Sequence, residues 1–588
     1  MRPLVTRRVR LRRHFHRLPI EYSVASASSI STSLSDMSPP RTSNKNASDL
    51  LISLTPAEDS LFSFLEYIQQ LYAPKTQLRV AGGWVRDKLR GAESEDIDIA
   101  LDNLMGAKFA RYITKFQRDR KLPPSSVGVV KANSDKSKHL EVATVTIEGS
   151  TVDLVHLRAE EYTPDSRVPE VTFATPEDDA SRRDLTINAL FYNLHTRHVE
   201  DFTGKGVNDL KNGVIRTPRE PVQTFLDDPL RVLRALRFAC ELGFTLDPAL
   251  ETAVLEQREI VGAMRRKVSR ERIGIEVRKM LSGNDPVRAF GLLRKFDLLE
   301  LVFNDSAGRL GEGEAYDEVE DNGYKYPPRE WTESIQNRAC HYLNYLQQSR
   351  KCDMSNVEST AAIFTPLFLP KVPLIVPESH VQDEFVDVTE REIVESSLEF
   401  LDHREAVVAA LDTIEIVEML KVHVKWPKPS GKRVALIIEA IATYPEAQPA
   451  PDDTASVNCA SVKHRLKQFM WMTQYRSVIA PALSILTSAR SLDNKYTAEM
   501  TADEQEAMLK VCLHMAKSYV KDENKPSRCR RLDGKTVQTQ LGPGASTNIA
   551  RALRVLLVWE HVHPDASVED ELAFLERLAP QLGAPIRD

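Results

Sequence analysis

Asp96-Ile97-Asp98 places two carboxylates two residues apart. The apolar residues around them read as a strand over Ile97 to Leu101, and residues i and i+2 of a strand point to the same face. Two carboxylates side by side repel and raise one another's pKa unless a cation lies between them. Such a pair, completed by phosphate oxygens, is the usual way of holding Mg²⁺, although Asp-x-Asp alone fits a solvated acidic turn equally well. Upstream stands Gly82-Gly83-Trp84-Val85-Arg86-Asp87, between a short strand, Gln77 to Ala81, and a helix, Trp84 to Leu89. Adjacent glycines let the backbone turn tightly and come close to a ligand, and the helix start behind them offers free N–H groups to phosphate. Strand, Gly-Gly, helix and a carboxylate pair on the next strand make a compact nucleoside-triphosphate and metal site. Arg86 and Asp87 fit an ion pair tying the helix to the sheet.

Further motifs follow in order. They are Arg182-Arg183-Asp184-Leu185-Thr186-Ile187-Asn188-Ala189, Asp201-Phe202-Thr203-Gly204 with Asp209-Leu210, Asp227-Asp228-Pro229-Leu230-Arg231, and Glu271-Arg272 to Glu276. Together with the glycine turn and the carboxylate pair, they resemble the motif series of class II CCA-adding enzymes of the eukaryotic type. These belong to the tRNA nucleotidyltransferase and poly(A) polymerase family of the DNA polymerase β superfamily. The resemblance covers about residues 50 to 300; the C-terminal half resembles the family in being helical and in Gly542-Pro543-Gly544 ahead of Val558-Trp559.

The resemblance implies template-independent addition of C, C and A to a tRNA 3′ end from CTP and ATP, using two Mg²⁺ ions held by Asp96 and Asp98. The superfamily often adds a third carboxylate; the candidate here is Asp153, whose other reading is an edge-strand acid. Gly82, Gly83 and Arg86 would line the nucleotide, and Arg183 and Asp184, with Asn188, would contact its ribose. A 2′-hydroxyl both donates and accepts a hydrogen bond, so an Arg/Asp pair can select it. Arg182 fits a structural salt bridge. Asp228 and Arg231, at i and i+3 on a predicted helix, share one face and would read the edge of C or A. Asp227 departs from the family's Glu, which puts in doubt whether it orients the neighbouring Arg. Arg234 and Arg237 continue the face as triphosphate contacts or as a solvated basic stripe. The family's flexible loop would end at Tyr162 to Glu170, with Lys131 to Lys138 also polar. The alternatives are a CC-adding or A-adding enzyme or a poly(A) polymerase, and, from another class, a non-catalytic tRNA-binding protein.

The positioning elements are those of an α+β chain. A nucleotidyltransferase head, 46–217, mixes strands and helices; a hairpin is expected from Leu140 to Ile147 and from Thr151 to Leu157. Helical periodicity then takes over, in Phe225 to Leu242 and Ala249 to Leu281, giving a neck over 218–302. An acidic insert with an irregular segment occupies 303–390, and a helical body and tail occupy 391–588. RNA phosphates need basic clusters; Arg265, Arg266, Lys267 and Arg270 form one, and Lys525, Arg528, Arg530, Arg531 and Lys535 another. The 588 residues carry 78 basic and 84 acidic side chains, a net charge of −6, and six cysteines without a Cys-x-x-Cys pair. That excludes a disulfide scaffold and the common zinc spacings, and no apolar run has membrane-spanning length. Residues 1–45 begin with seven arginines before the first acid, Glu21, and continue Ser-rich, the composition of a mitochondrial presequence. A start at Met37 would give a second product for the cytosol or nucleus.

Overall fold

The computed structural model describes residues 52–94, 96–130, 142–161, 170–303, 330–350, 355–369, 388–411, 413–445, 462–490, 532–542 and 546–582. The leader, the flexible-loop residues 131–138 and 162–169, the insert from 304 to 329, the basic residues 525–531 and Pro543-Gly544 lie outside them.

The head contains α1 (Pro56–Tyr72), β1 (Leu78–Ala81), α2 (Gly83–Leu89), β2 (Ile97–Leu101), α3 (Gly106–Asp119), β3 (Ser126–Val130), β4 (Val142–Ile147), β5 (Ser150–His156), β6 (Arg158–Glu161), β7 (Glu170–Phe173), α4 (Pro176–Ser181), β8 (Phe191–Asn193), β9 (His198–Glu200), α5 (Gly206–Asn212) and β10 (Val214–Ile215). Helices then dominate: α6 (Pro221–Asp227), α7 (Leu230–Leu242), the short strand β11 (Thr245–Leu246), α8 (Pro248–Glu256), α9 (Arg258–Lys267), α10 (Arg270–Leu281), α11 (Pro286–Lys295), α12 (Leu299–Phe303), α13 (Glu333–Arg350) and α14 (Asn356–Phe368). The remainder is α15 (Glu390–Ala410), α16 (Thr413–His423), α17 (Lys428–Ala442), α18 (Val462–Gln474), α19 (Ile479–Arg490), α20 (Gly534–Leu541), α21 (Ser546–Val562) and α22 (Val568–Leu578). The α+β reading therefore holds. None of the described helices is long and apolar enough to cross a membrane.

The head is a seven-stranded sheet in the order β3-β4-β5-β2-β1-β8-β9. Its β2–β5 pair is parallel, whereas the other neighbours are antiparallel. The β4–β5 hairpin turns at Glu148 and Gly149, both with positive φ, as the two-residue turns favoured by strand twist require. Alternate residues of β4 and β5 are buried against α3. Thr55 caps α1: its hydroxyl accepts from the Glu58 N–H, while Glu58 accepts from the Thr55 N–H at 2.8 Å. Glu58 also accepts from the Trp84 indole at 2.9 Å and pairs with Lys88 at 2.9 Å. One capping residue thus fixes α2. Trp84 packs edge-on to Phe62, with ring centroids 5.5 Å apart, and the polar anchor lets so large a side chain be buried.

Three sequence expectations change here. The helix expected over Phe225 to Leu242 breaks into α6 and α7 at Asp228, which is extended (φ −132°, ψ 97°). Pro229 is the cause, because the residue before proline is driven out of the helical region. Similarly, Ala249 to Leu281 divides into three helices. The irregular segment expected over 353–390 contains α14, and α13 precedes it. The two cores share the segment 185–215: Leu185, Ile187 and Ile215 belong to the helical core, while Leu190, Tyr192 and Val207 belong to the head core.

α3 crosses β5 so closely that a Cβ on Gly106 would lie 2.1 Å from the Leu154 carbonyl oxygen. A Cβ on Gly128, in β3, would meet nothing within 4 Å. Gly106→Ala is therefore expected to cost about 1–3 kcal/mol by overpacking, and Gly128→Ala to be close to neutral. Denaturant unfolding of both variants checks this; equal stabilities would refute the packing argument.

Candidate active site

The register of β2 builds the centre of the site. Asp98 lies opposite Asp153 on one side and Ala81 on the other. Neighbouring strands are about 4.8 Å apart, so two carboxylates stand side by side where the glycine turn begins. β5 is an interior strand between β4 and β2, so Asp153 is not an edge-strand acid; its carboxylate also accepts from the Thr144 hydroxyl at 2.6 Å. Desolvation by the surrounding walls raises the pKa of Asp98, and Asp153 and Asp96 add to the rise, against the pull of Arg183 and Arg158. Asp96 thus belongs to the same electrostatic group. Among the described residues, however, no group of three or more His, Cys, Asp or Glu is gathered closely enough to hold an ion. What the register brings together is the Asp98/Asp153 pair, with the Asp96 charge acting on the same carboxylate.

Gly82 follows β1 with φ 75°, and a Cβ there would lie 2.9 Å from an Arg183 nitrogen, so both backbone and space demand glycine. Gly83 has room for a side chain. The second glycine is thus not required by the turn itself. Arg86 is buried: it donates twice to Asp87, at 2.9 and 2.7 Å, and once to the Asn188 side-chain oxygen, at 2.7 Å. The expected Arg86–Asp87 ion pair is present, and it occupies the guanidinium that was also counted as a nucleotide contact.

The Arg182-Arg183-Asp184 motif is organised by a residue the motif does not contain. Asp179, in α4, pairs with both Arg182 and Arg183. Burial alone would raise its pKa, but the two guanidinium charges outweigh that and hold it at about 2. Arg182 also donates to the Arg158 carbonyl at 2.9 Å, as a structural bridge would. Arg183 donates to the Asn188 carbonyl at 3.1 Å and covers the Phe191 ring at 5.0 Å. It faces the Asp98 side of the cleft, where its charge is felt. Asp184 is buried and accepts from the Leu185 N–H, the Asn188 amide and, twice, from Arg234, at 2.7 and 2.6 Å. Burial opposes its ionisation, but the Arg234 charge and these hydrogen bonds keep it at about 2.

The basic face of α7 is not solvated. Arg237 donates to Glu276 at 2.6 Å and to Glu241 at 2.7 Å, and Arg234 lies 3.8 Å from Glu276. Phe238 was not singled out in the sequence, yet Arg86, Arg234 and Arg237 all stand over its ring, at 4.9, 5.6 and 4.1 Å. A lone Phe in an apolar helix carries no pattern that would reveal such a hub. Glu276 of the last motif binds α10 to α7 and, through Arg234, to Asp184.

Asp228 and Arg231 are not stacked on one helix face, because the Pro229 break separates them. Arg231 is buried and donates to the Arg182 carbonyl at 2.7 Å, whereas Asp228 accepts from the Leu230 N–H and from Arg272, both at 3.3 Å. Asp227 accepts from the Gln223 side-chain amide at 2.7 Å. Three members of the first basic cluster are likewise committed elsewhere. Arg270 donates to the carbonyls of His423, Leu301 and Val302, at 2.8, 2.6 and 2.6 Å, which makes it a staple between helices rather than a free phosphate contact. Lys267 donates to the Leu226 carbonyl at 3.0 Å, Arg266 pairs with Glu259, and Arg265 is exposed.

Two outcomes are expected. Asp153→Asn removes a charge that opposes ionisation of Asp98 and keeps the Thr144 bond, so the thermal midpoint should hold or rise while nucleotide incorporation falls about a hundredfold or more; a loss of both together would show that Asp153 is structural. Asp179 has a depressed pKa, so its contribution is present above about 4 and is lost as pH falls toward 2. Over that window the wild type should lose on the order of 2 kcal/mol more unfolding free energy than Asp179→Asn, measurable by denaturation at each pH; parallel curves would contradict the pairing.

Parts of the chain are similar to known proteins. Residues 78–216 match the Poly A polymerase head domain, and residues 243–307 match the probable RNA and SrmB-binding site of polymerase A. The mitochondrial CCA tRNA nucleotidyltransferase of Saccharomyces cerevisiae is 45% identical over 270 residues, 44% of this chain and 49% of that protein. The tRNA nucleotidyltransferase cca2 of Schizosaccharomyces pombe is 28% identical over 520 residues, 85% of this chain and 92% of that one. A solved apo CCA-adding enzyme matches 90% of this chain and 96% of its own at 18% identity, with a TM-score of 0.49, too loose a likeness to support any statement about the site. The match spans less than half the length of the first curated relatives, at 49, 43 and 42%. In its head domain and the segment that follows, the chain is thus similar to the poly(A) polymerase head domain and its RNA-binding segment, and to tRNA nucleotidyltransferases.

Proposed function

We propose that the chain is a CCA tRNA nucleotidyltransferase, adding C, C and A to tRNA 3′ ends from CTP and ATP with release of pyrophosphate. The observation that carries this reading is the Asp98/Asp153 pair, set by strand register beside the Gly82 turn and faced by Arg183. Relatives that bear this activity in their names support it.

The donor set suits Mg²⁺. All candidate ligands are hard carboxylate oxygens, and Mg²⁺ commonly takes one or two carboxylates together with substrate phosphates and water. A divalent cation there would also relieve the repulsion that raises the Asp98 pKa. Asp98 would hold it with Asp96 and Asp153; when bound, such ions lower the pKa of the attacking 3′-hydroxyl and neutralise the leaving pyrophosphate.

The chain's own residues do the rest by positioning, which dominates phosphoryl transfer. Arg183 brings a fixed positive charge to the triphosphate side of the cleft, since Asp179 and the Asn188 carbonyl hold its direction. Asp184, ionised because Arg234 holds it so, accepts from the ribose. Asp228 lies at the break between α6 and α7, where it is only half-buried. For Arg231 to read a base beside it, the guanidinium must exchange the Arg182 carbonyl for the nucleotide. The Arg-rich, Ser-rich leader and the mitochondrial names of relatives support a mitochondrial destination, with initiation at Met37 giving a cytosolic or nuclear product.

The test is incorporation on tRNAs lacking CCA, CA or the final A, with CTP alone, ATP alone and both. The expected result is one complete CCA end with both nucleotides and a single A on the last substrate. Long tails from ATP alone would instead identify a poly(A) polymerase, and stalling after CC or inability to add C a partial enzyme. The variant Asp96→Ala, Asp98→Ala should keep tRNA affinity and lose incorporation; full activity in it would remove the metal assignment, and an inert wild type that binds tRNA would establish a non-catalytic clamp.

A further inference from the structure

Between Glu418 and Glu439 the chain has no acidic residue, and it carries Lys421, Lys425, Lys428, Lys432 and Arg433. We propose that the α16–α17 connection and the first turn of α17, Val424 to Arg433, form a phosphate-binding surface for the RNA whose 3′ end enters the site, with Lys425, Lys428, Lys432 and Arg433 as its contacts. This rests on reading the site as an RNA nucleotidyltransferase.

The charges here are unspent. Lys425, Lys428 and Lys432 are exposed, and none of them is in an ion pair among the described residues. Arg433 is also exposed and donates to the Ser477 carbonyl at 3.2 Å, which leaves its charge uncompensated. Several other surface cations are paired, Lys421 with Glu418, Arg272 with Asp228, Arg294 with Glu333 and Lys295 with Glu251, whereas Arg278 adds a further cation at the loop, donating to the Lys425 carbonyl at 3.4 Å.

The segment is also held stiffly. Val424 and Trp426 are buried, which turns the intervening Lys425 outward. Two prolines, Pro427 and Pro429, restrict the backbone. The Trp426 N–H donates to the Leu420 carbonyl at 3.1 Å, and Arg270 donates to the His423 carbonyl at 2.8 Å. Lys425 itself has φ 49°, a left-handed conformation that L side chains seldom adopt and that glycine would take freely. A disordered basic tail would lose entropy on gripping RNA; this loop has already lost it.

Its placement fits the same use. α10 stands between the loop and the site. Along one side of this helix, Arg270 binds the loop, and Gly274 approaches it so closely that a Cβ would lie 1.7 Å from the Val424 carbonyl oxygen. On another side, Arg272 and Glu276 reach Asp228 and Arg237. One helix diameter, about 10 Å, therefore separates the basic loop from the wall of the nucleotide site. An RNA held by its 3′ end must extend well beyond that distance.

The triple variant Lys425→Gln, Lys428→Gln, Lys432→Gln tests this. Expected are a rise of about tenfold or more in KM for tRNA, a salt dependence of tRNA binding shallower by about two to three in log–log slope, and unchanged kcat and KM for CTP. A single-stranded primer of a few nucleotides, too short to leave the site, should be extended equally by wild type and variant. Direct binding of tRNA at several salt concentrations reads the inference without catalysis. Equal tRNA affinity and slope would overturn it, as would a parallel loss of CTP affinity or of short-primer extension, which would mark a general defect. Retained tRNA affinity with lost binding to phosphatidylserine vesicles would assign the patch to a membrane surface instead. If the wild type binds tRNA but extends none with CTP and ATP, the functional reading fails while the binding comparison still decides this one.

Discussion

The structure turns on one unfavourable neighbour relation, Asp98 beside Asp153 across the parallel β2–β5 pair. Antiparallel hairpins make most of this sheet, and they can be closed by two-residue turns. The parallel pairing needs a long crossover, so bringing these two carboxylates together requires α3, β3 and β4 between the strands. It also requires a flanking guanidinium. Arg183 stands close enough to oppose the rise in the Asp98 pKa, and it can do so only because Asp179 and the Asn188 carbonyl fix its orientation. A folded chain that keeps two like charges adjacent gives up stability there, and such a cost is a common signature of a site shaped for a cation or a charged substrate.

From that point a lattice of buried ions spreads into the helical part. Asp179 binds Arg182 and Arg183, Asp184 binds Arg234, and Glu276 binds Arg237. Phe238 lies beneath three guanidinium groups and gives their flat faces an apolar but electron-rich support. Buried ion pairs contribute little net stability, because desolvation offsets most of their attraction, yet removing one partner costs about 3–5 kcal/mol. Such a lattice specifies geometry more than it adds stability. It runs across the seam where the head core meets the helical core, so nucleotide contacts from both parts keep one relative placement.

The sequence revealed the parts of this that are local. The Gly82 turn, the carboxylate strand and the β4–β5 hairpin each depend on a few adjacent residues, and each is where its pattern puts it. Partnerships between distant segments were not legible. Nothing in Thr151 to Val155 says that Asp153 will fall in register with Asp98, because register is a property of the pair. Asp179 and Phe238 carry no motif of their own. The Asp228/Arg231 spacing was misleading for a local reason, since periodicity was followed through a proline that breaks the helix. Within the basic cluster at 265–270, Arg270 bonds three carbonyls from segments far along the chain, which no local pattern could show.

That last distinction bears on how a chain with a net charge of −6 handles polyanions. Counting cations does not measure a surface's attraction for phosphate; what matters is how many are left after internal acceptors have taken theirs. Around the nucleotide site nearly every arginine is already bound to a carboxylate or a carbonyl, so an incoming triphosphate must compete with partners in place. That favours a ligand presenting several oxygens at fixed spacing over diffuse negative charge. On the far side of α10 the lysines of 425–432 have no such partners and a backbone that is already fixed. A polyanion is then attracted by the uncompensated lysines and discriminated by the compensated arginines, and the two tasks can be altered separately because they fall on opposite sides of one helix.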